Sequence, residues 1–361
     1  MSTSPFMTPG QSRLRRERAA ERRRRRRQIA LGLLAFAVIA IAIAALAGSG
    51  SGGHGRRGPR APASTQANAV EAPPRSPDGF LLSSPALKLT GIATPAADPI
   101  RLQFRHPPRA GLLFNLQTGQ VLWQRNAYKR LPIASLTKMM TALVTVRAAP
   151  PADHVLVTKA AVDSNGSKVG VLPLHKYVRL ESMLYGLLLP SGNDAAVALA
   201  QHVAGSVSAF VRSMNEEAAR LGMACTRYSS PSGYFDQGNF SCPADLAVLA
   251  HVALEQRRIA RVVHTYSAVL PFPIKGGKLY LYNNNPLLIY HYPGATGLKT
   301  GFTDAAGRCL VATAERGGVK LGVVLLNSNA PGVESKQLLD RAFHDVYHLP
   351  AVAEPPMPAG A

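Results

Sequence analysis

Apolar and polar positions come in blocks along the chain, and the blocks change character three times. Residues 29–47 are an apolar run of 19 residues without a charge, long enough to cross a bilayer as a helix. Residues 48–58 are rich in Gly, Ser and Arg, and 59–99 are dense in Pro, Ala and Ser, the composition of a flexible or polyproline-like tether. From Ile100 onward, short apolar runs alternate with turn residues, as in a packed domain. Residues 110–115 and 120–125 read as a hairpin around Gln117-Thr118-Gly119. Pro132 biases Leu131 away from helix, and an apolar run begins at Met139, so a buried helix is expected to open at Ser135.

Farther along, 155–157 and 169–172 read as short strands. Residues 181–189, 195–203 and 206–221 read as helices, the middle one buried all round. A long Ser/Gly/Tyr loop at 225–243 precedes a helix at 243–258, with Pro243 near its start. Residues 266–272 pair with 278–282, and 309–314 pair with 320–327, each through a Gly-Gly turn; 333–346 is a last helix. Strands, then helices, then strands imply an α+β fold: an antiparallel sheet with a helical insertion, not a doubly wound parallel sheet.

Charge refines the N-terminal picture. The chain of 361 residues has a formal net charge of +21, and residues 1–28 hold ten Arg and two Glu, a net of +8. A basic run such as Arg22 to Arg27 suits nucleic acid, but arginines directly before an apolar span mark its cytoplasmic side. The expectation is a basic cytoplasmic tail at 1–28, a single membrane pass at 29–47, a tether at 48–99, an extracytoplasmic domain at 100–349 and a tail at 350–361. Ala45-Leu46-Ala47 resembles a signal cleavage site, but the long basic region and long apolar run favour an uncleaved anchor over a secreted product. No nucleic-acid partner is expected.

The cysteines are Cys225, Cys242 and Cys309. The first two flank one loop and either staple it or lie as buried thiols; spacing leaves both open. No Cys lies in a motif with a His, and no His-x-x-x-His or paired-Cys spacing occurs, so neither a metal nor another cofactor is expected.

Three motifs carry candidate chemistry. Ser-x-x-Lys occurs at Ser135 and Lys138, which one helical turn places on one face, where an amine can serve as base for the hydroxyl. Ser-x-Asn occurs at Ser191/Asn193, in a Gly-containing loop between helices, and again at Ser213/Asn215, inside an amphipathic helix. Lys299-Thr300-Gly301 lies before a strand. Singly, each is unremarkable: a helix cap with a solvated lysine, a loop and a turn. Jointly and in this order they are specific.

With the longer runs around them, Pro132-Ile133-Ala134-Ser135-Leu136-Thr137-Lys138, Ser191-Gly192-Asn193-Asp194-Ala195-Ala196 and Gly297-Leu298-Lys299-Thr300-Gly301-Phe302-Thr303, the chain resembles the serine penicillin-binding protein and β-lactamase superfamily. More narrowly it resembles the low-molecular-mass D-alanyl-D-alanine carboxypeptidases of the S11 type, over about residues 110–347. The resemblance implies an antiparallel sheet flanked by helices, with a mostly helical subdomain and the site between them. It implies removal of the terminal D-Ala from peptidoglycan stem peptides through an acyl-enzyme on Ser135, and β-lactam antibiotics as covalent inhibitors. Lys138 would take the Ser135 proton, Ser191 would relay a proton to the leaving amine, and Asn193 would hold Lys138 and the substrate backbone. Lys299 would tune Lys138 and add charge, and Thr300 would help bind the terminal carboxylate. Gly301 would let substrate approach the strand, and the N–H groups of Ser135 and Phe302 would form an oxyanion hole.

Two departures stand out. Phe302 takes a place where many relatives have His, and the C-terminal β-rich domain of many relatives is not expected here; the N-terminal span would replace their anchor. The alternatives are a D,D-endopeptidase, a β-lactamase and a non-catalytic wall-binding protein. A class A-like β-lactamase needs a carboxylate for its deacylating water. Residues 218–254 offer only Asp236 and Asp245, with no Glu, which speaks against it.

Overall fold

The computed structural model describes residues 86–235 and 237–351. The expected cytoplasmic tail, membrane span and residues 48–85 of the tether lie outside the described residues. Among the described residues no single helix is long and apolar enough to cross a membrane.

The strands are β1 (Ala110–Asn115), β2 (Val121–Arg125), β3 (Leu131–Pro132), β4 (His154–Leu156), β5 (Tyr177–Arg179), β6 (Phe240–Ser241), β7 (Ser267–Pro271), β8 (Lys278–Tyr282), β9 (Ala295–Thr303), β10 (Gly307–Arg316) and β11 (Val319–Ser328). Five of them form one sheet in the order β2-β1-β11-β10-β9, every neighbouring pair antiparallel. Asn115 closes the β1–β2 turn, its Oδ1 accepting from the Gln117 and Thr118 amides at 2.8 and 3.0 Å.

Sheet residues alternate between two cores. Leu112, Phe114, Val311 and Val324 face the helices, whereas Leu113, Leu310, Val323 and Leu325 face the C-terminal helix Pro331–Arg341. Each such side chain contributes roughly 1.5–3 kcal/mol by leaving water. Between β2 and β9 runs the helical insertion: Lys138–Ala148, Leu180–Leu188, Asn193–Ala204, Val207–Arg220, Pro243–Glu255 and Arg257–His264. The α+β reading and the order of elements therefore hold.

Four local expectations change. Residues 86–99 were expected in the tether, yet Leu87, Leu89 and Ile92 are buried in the main core and the Thr90 amide donates to Gly119 O, because their sparse leucines find the open side of the β1–β2 turn. Residues 169–172 form no strand; the Val169 and Gly170 amides donate instead to the Asp194 carboxylate at 2.9 and 3.1 Å, and β4 pairs with β5. The helix expected at 243–258 breaks at Gln256, which is extended, and restarts at Arg257–His264. The helix expected to open at Ser135 begins at Lys138, and Ser135 sits in a 3₁₀ turn, Ala134–Thr137.

The open question on cysteines closes in favour of the staple. Cys225 and Cys242 are disulfide-bonded, with Cα atoms 5.7 Å apart, and Cys309 is a buried thiol.

Candidate active site

Ser135 owes its position to a tight turn. Ala134 adopts a positive φ of 48°, unusual for a residue with a side chain, and the 3₁₀ turn that follows has three residues per turn. Residues i and i+3 therefore stack directly, and Lys138 Nζ lies 2.8 Å from Ser135 Oγ. The pairing inferred from a helical face is thus achieved by a tighter helix than expected.

Lys138 is fully buried and has two further partners: Asn193 Oδ1 at 2.7 Å and the Ser232 carbonyl at 2.7 Å. A neutral amine has two hydrogens and one lone pair, so these two acceptors and the Ser135 hydroxyl match its bonding capacity. Burial lowers the Lys138 pKa well below the ordinary lysine value, and the charge of Lys299 lowers it further; Asp194 opposes them.

Asn193 opens the Asn193–Ala204 helix, and its other amide atom, Nδ2, donates to Asn165 O at 2.5 Å. One Nδ2 hydrogen is therefore spent on the loop before it. Ser191 has φ 67°, is buried, and its Oγ has no hydrogen-bond partner among the described residues. Ser213 and Asn215 lie in the middle of the Val207–Arg220 helix, where Asn215 instead holds the Tyr228 backbone.

Lys299, Thr300, Gly301 and Phe302 lie on β9, an edge strand. Lys299 is buried, its Nζ donating to Thr300 O at 2.9 Å, and burial lowers its pKa to about 7. Gly301 also makes a close approach within the fold. A Cβ there would lie 3.0 Å from Ile133 O and 3.1 Å from Ser135 N, so the missing side chain lets β9 approach the Ser135 turn. Phe302 is 64% exposed.

A cleft of about 430 Å³ brings together Ser135, Ser191, Thr300, Gly301 and Phe302, with Asn284, Tyr290 and Arg308 in its wall. Lys138, Asn193 and Lys299 lie beneath it, buried behind the lining. The motifs did not point to Ser232, Asn165, Asn284 or Arg308. Ser232 and Asn165 act through backbone carbonyls, which any residue supplies. Asn284 read only as part of a turn, and Arg308 follows the Gly-rich run as an ordinary strand residue.

The loop holding Ser232 is fixed at several points. Pro231 O accepts from Thr141 Oγ1 at 2.6 Å, and Asn239 Nδ2 donates to Thr137 Oγ1 at 2.9 Å. Gly233 has φ 72° and passes so close to Ala134 that a Cβ would meet its carbonyl oxygen at 1.9 Å.

A Ser-Lys pair between an edge strand and a helical insertion is the arrangement of the DD-peptidase class. The chain belongs to the D-alanyl-D-alanine carboxypeptidase family, peptidase S11, whose sequence model matches residues 101–330. It is 33% identical over 249 residues to D-alanyl-D-alanine carboxypeptidase DacF of Bacillus subtilis, covering 67% of this chain and 63% of that protein. It is also 33% identical over 250 residues to a D-alanyl-D-alanine endopeptidase of Pseudomonas aeruginosa, covering 68% of this chain and 79% of that protein. Among solved structures, the Streptomyces K15 DD-transpeptidase superposes with a TM-score of 0.62 at 32% identity, covering 67% of this chain and 99% of the other.

Proposed function

We propose that the chain is a serine D-alanyl-D-alanine carboxypeptidase that removes the terminal D-Ala from peptidoglycan stem peptides in cell-wall remodelling. The observation that carries the reading is the 2.8 Å contact between Ser135 Oγ and a buried Lys138 whose pKa is pushed down. Lys138 takes the hydroxyl proton as Ser135 attacks the carbonyl of the penultimate residue. The oxyanion that forms is met by the backbone N–H groups of Ser135 and Phe302. Ser191, with a free hydroxyl in the same cleft, passes a proton to the leaving amine. The terminal carboxylate is held by Thr300 within the positive field of Lys299. Water then releases the acyl group. An extended substrate strand fits beside β9, whose outer edge is unpaired among the described strands.

Membership of the family and a carboxypeptidase relative support this reading. The endopeptidase relative supports a second, in which the same acyl-enzyme cuts a cross-link. No carboxylate lines the cleft among the described residues, which favours a peptidase over a β-lactamase. The arginine-rich tail and the apolar run at 29–47 support a single-pass anchor, with the domain outside the cytoplasmic membrane and β-lactams as covalent inhibitors.

The test is acylation by a labelled penicillin, together with D-Ala release from a soluble pentapeptide. Wild type is expected to give both, and Ser135→Ala neither. A wild-type protein that does neither is a non-catalytic binder and ends the proposal. Cleavage of cross-linked dimers without D-Ala release assigns the endopeptidase reading instead.

A further inference from the structure

A second concavity, of about 450 Å³, lies where three strands of the sheet come to one edge. The antiparallel register sets Ala110 opposite Leu326 and Gly111 opposite Arg125, so the entry to β1, the exit of β2 and the exit of β11 converge there. Four basic side chains line it: His106, Arg109, Arg125 and Lys129. No acidic side chain does, and none of the four is in an ion pair among the described residues.

The backbone beneath these charges is held firmly. The Arg109 amide donates to Leu326 O and Asn327 O at 3.1 and 3.2 Å. Asn126 Nδ2 donates to Arg109 O at 2.9 Å, and Arg125 Nε donates to Pro108 O at 2.9 Å. Pro107 and Pro108 stiffen the segment further. Like charges kept together on a fixed frame repel, and a bound anion offsets that cost. Arginine and lysine in a concave wall are the usual receptors for phosphate oxygens. The space exceeds a bare phosphate, and the carboxamides in the wall suit the hydroxyls of an esterified group.

We propose that this pocket binds a phosphate ester, either a soluble one or the headgroup of an anionic lipid. The site is separate from the Ser135 cleft, and its assignment does not depend on the reaction performed there. One segment joins the two walls, since Asn329 lines the pocket and its carbonyl accepts from Arg308 Nη1 of the cleft at 2.7 Å.

The test uses the full chain, with glycerol 3-phosphate as the soluble probe and phosphatidylcholine vesicles with and without phosphatidylglycerol as the lipid probe. Arg109→Gln with Lys129→Gln removes two cations whose side chains hold no structural hydrogen bond here; Arg109→Lys with Lys129→Arg keeps the charge. Unchanged melting of both variants verifies folding. Wild type is expected to bind glycerol 3-phosphate saturably, the charge-removing variant at least about tenfold more weakly, and the charge-keeping variant nearly as wild type. Pocket-dependent binding to phosphatidylglycerol vesicles alone assigns the lipid source. The N-terminal arginines are the same in all three proteins, so only the difference between variants counts. Equal binding of both probes by wild type and the charge-removing variant overturns the proposal.

Discussion

Lys138 Nζ and the Ser232 carbonyl are 2.7 Å apart although 94 residues separate them in the chain. The contact ties Lys138 to a loop whose ends are joined by the Cys225–Cys242 disulfide. The same loop packs Gly233 against Ala134, immediately before Ser135. The disulfide thus closes the loop that contacts the Ser-Lys pair.

Replacing both Cys225 and Cys242 by Ala is expected to cost about 3 kcal/mol, from the loop-closure entropy of a segment of this length. In a domain of this size that lowers Tm by roughly 6–12 °C. Calorimetry checks the stability, and the rate of penicillin labelling checks the site. Labelling should slow by more than the fraction unfolded accounts for; labelling that follows the folded fraction alone would separate the loop from the chemistry.

Lys138 and Lys299 are expected to make the site sensitive to pH in opposite directions. Acylation should rise with pH as Lys138 loses its proton, while capture of a substrate carboxylate should weaken above about pH 7 as Lys299 becomes neutral. Lys299→Gln is expected to lower kcat/KM about 10- to 100-fold, the cost of one charge-assisted contact. It should also abolish the alkaline rise in KM. Because the Lys299 charge helps hold Lys138 down, the acid limb of the variant should move to higher pH. Pentapeptide kinetics from pH 5 to 10 would show these changes.

The same residue gives a stability prediction of opposite sign. Lys299 has a folded pKa of about 7 against an ordinary value of 10.5, so unfolding takes up a proton between those values. Its contribution to stability is therefore lost as pH falls from about 10.5 to 7 and stays lost below. At pH 7 Lys299→Gln should melt several degrees above wild type, and the gap should close toward pH 10.5. Melting curves at pH 7 and pH 10 decide it; an unchanged gap would mean that Lys299 does not titrate in this range.

Gly301→Ala tests whether that glycine serves the approach of β9 to the Ser135 turn or the approach of substrate. The new methyl meets Ile133 O and Ser135 N, both backbone atoms of the nucleophile turn. The expected result is a loss of about 1–3 kcal/mol and a fall in kcat of tenfold or more. If the methyl instead obstructed substrate, KM would rise with kcat and Tm intact.

Ser191→Ala separates chemistry from structure. The hydroxyl is buried without a partner, so its loss should change stability by no more than about 0.5 kcal/mol, or raise it slightly. Loss of a proton relay should lower kcat roughly 10²- to 10⁴-fold. Denaturant melts and D-Ala release on the same preparation check both halves.

The three motifs named Ser135, Lys138, Ser191, Asn193 and the β9 residues because their chemistry resides in side chains at short spacings. Order and strand pattern were equally legible: β1 and β2, the β7–β8 pair and the β10–β11 hairpin fall where alternation and turn residues put them. Long-range partners were not. Nothing local marks Ser232, since a carbonyl carries no residue identity. Val169 and Gly170 look like a strand until the Asp194 carboxylate takes their amides. The leucines of residues 86–92 are too sparse to announce a packed segment. The sequence by itself determined which groups are candidates to react, the class of fold and the arginine-rich approach to an apolar run. Only the tertiary structure decided that Lys138 is buried beside Lys299 and matched to two acceptors. It also decided that Gly301 lies against the Ser135 turn and that two arginines, a lysine and a histidine share one pocket. Burial and convergence depend on contacts between segments far apart in the chain, and local pattern carries no record of them.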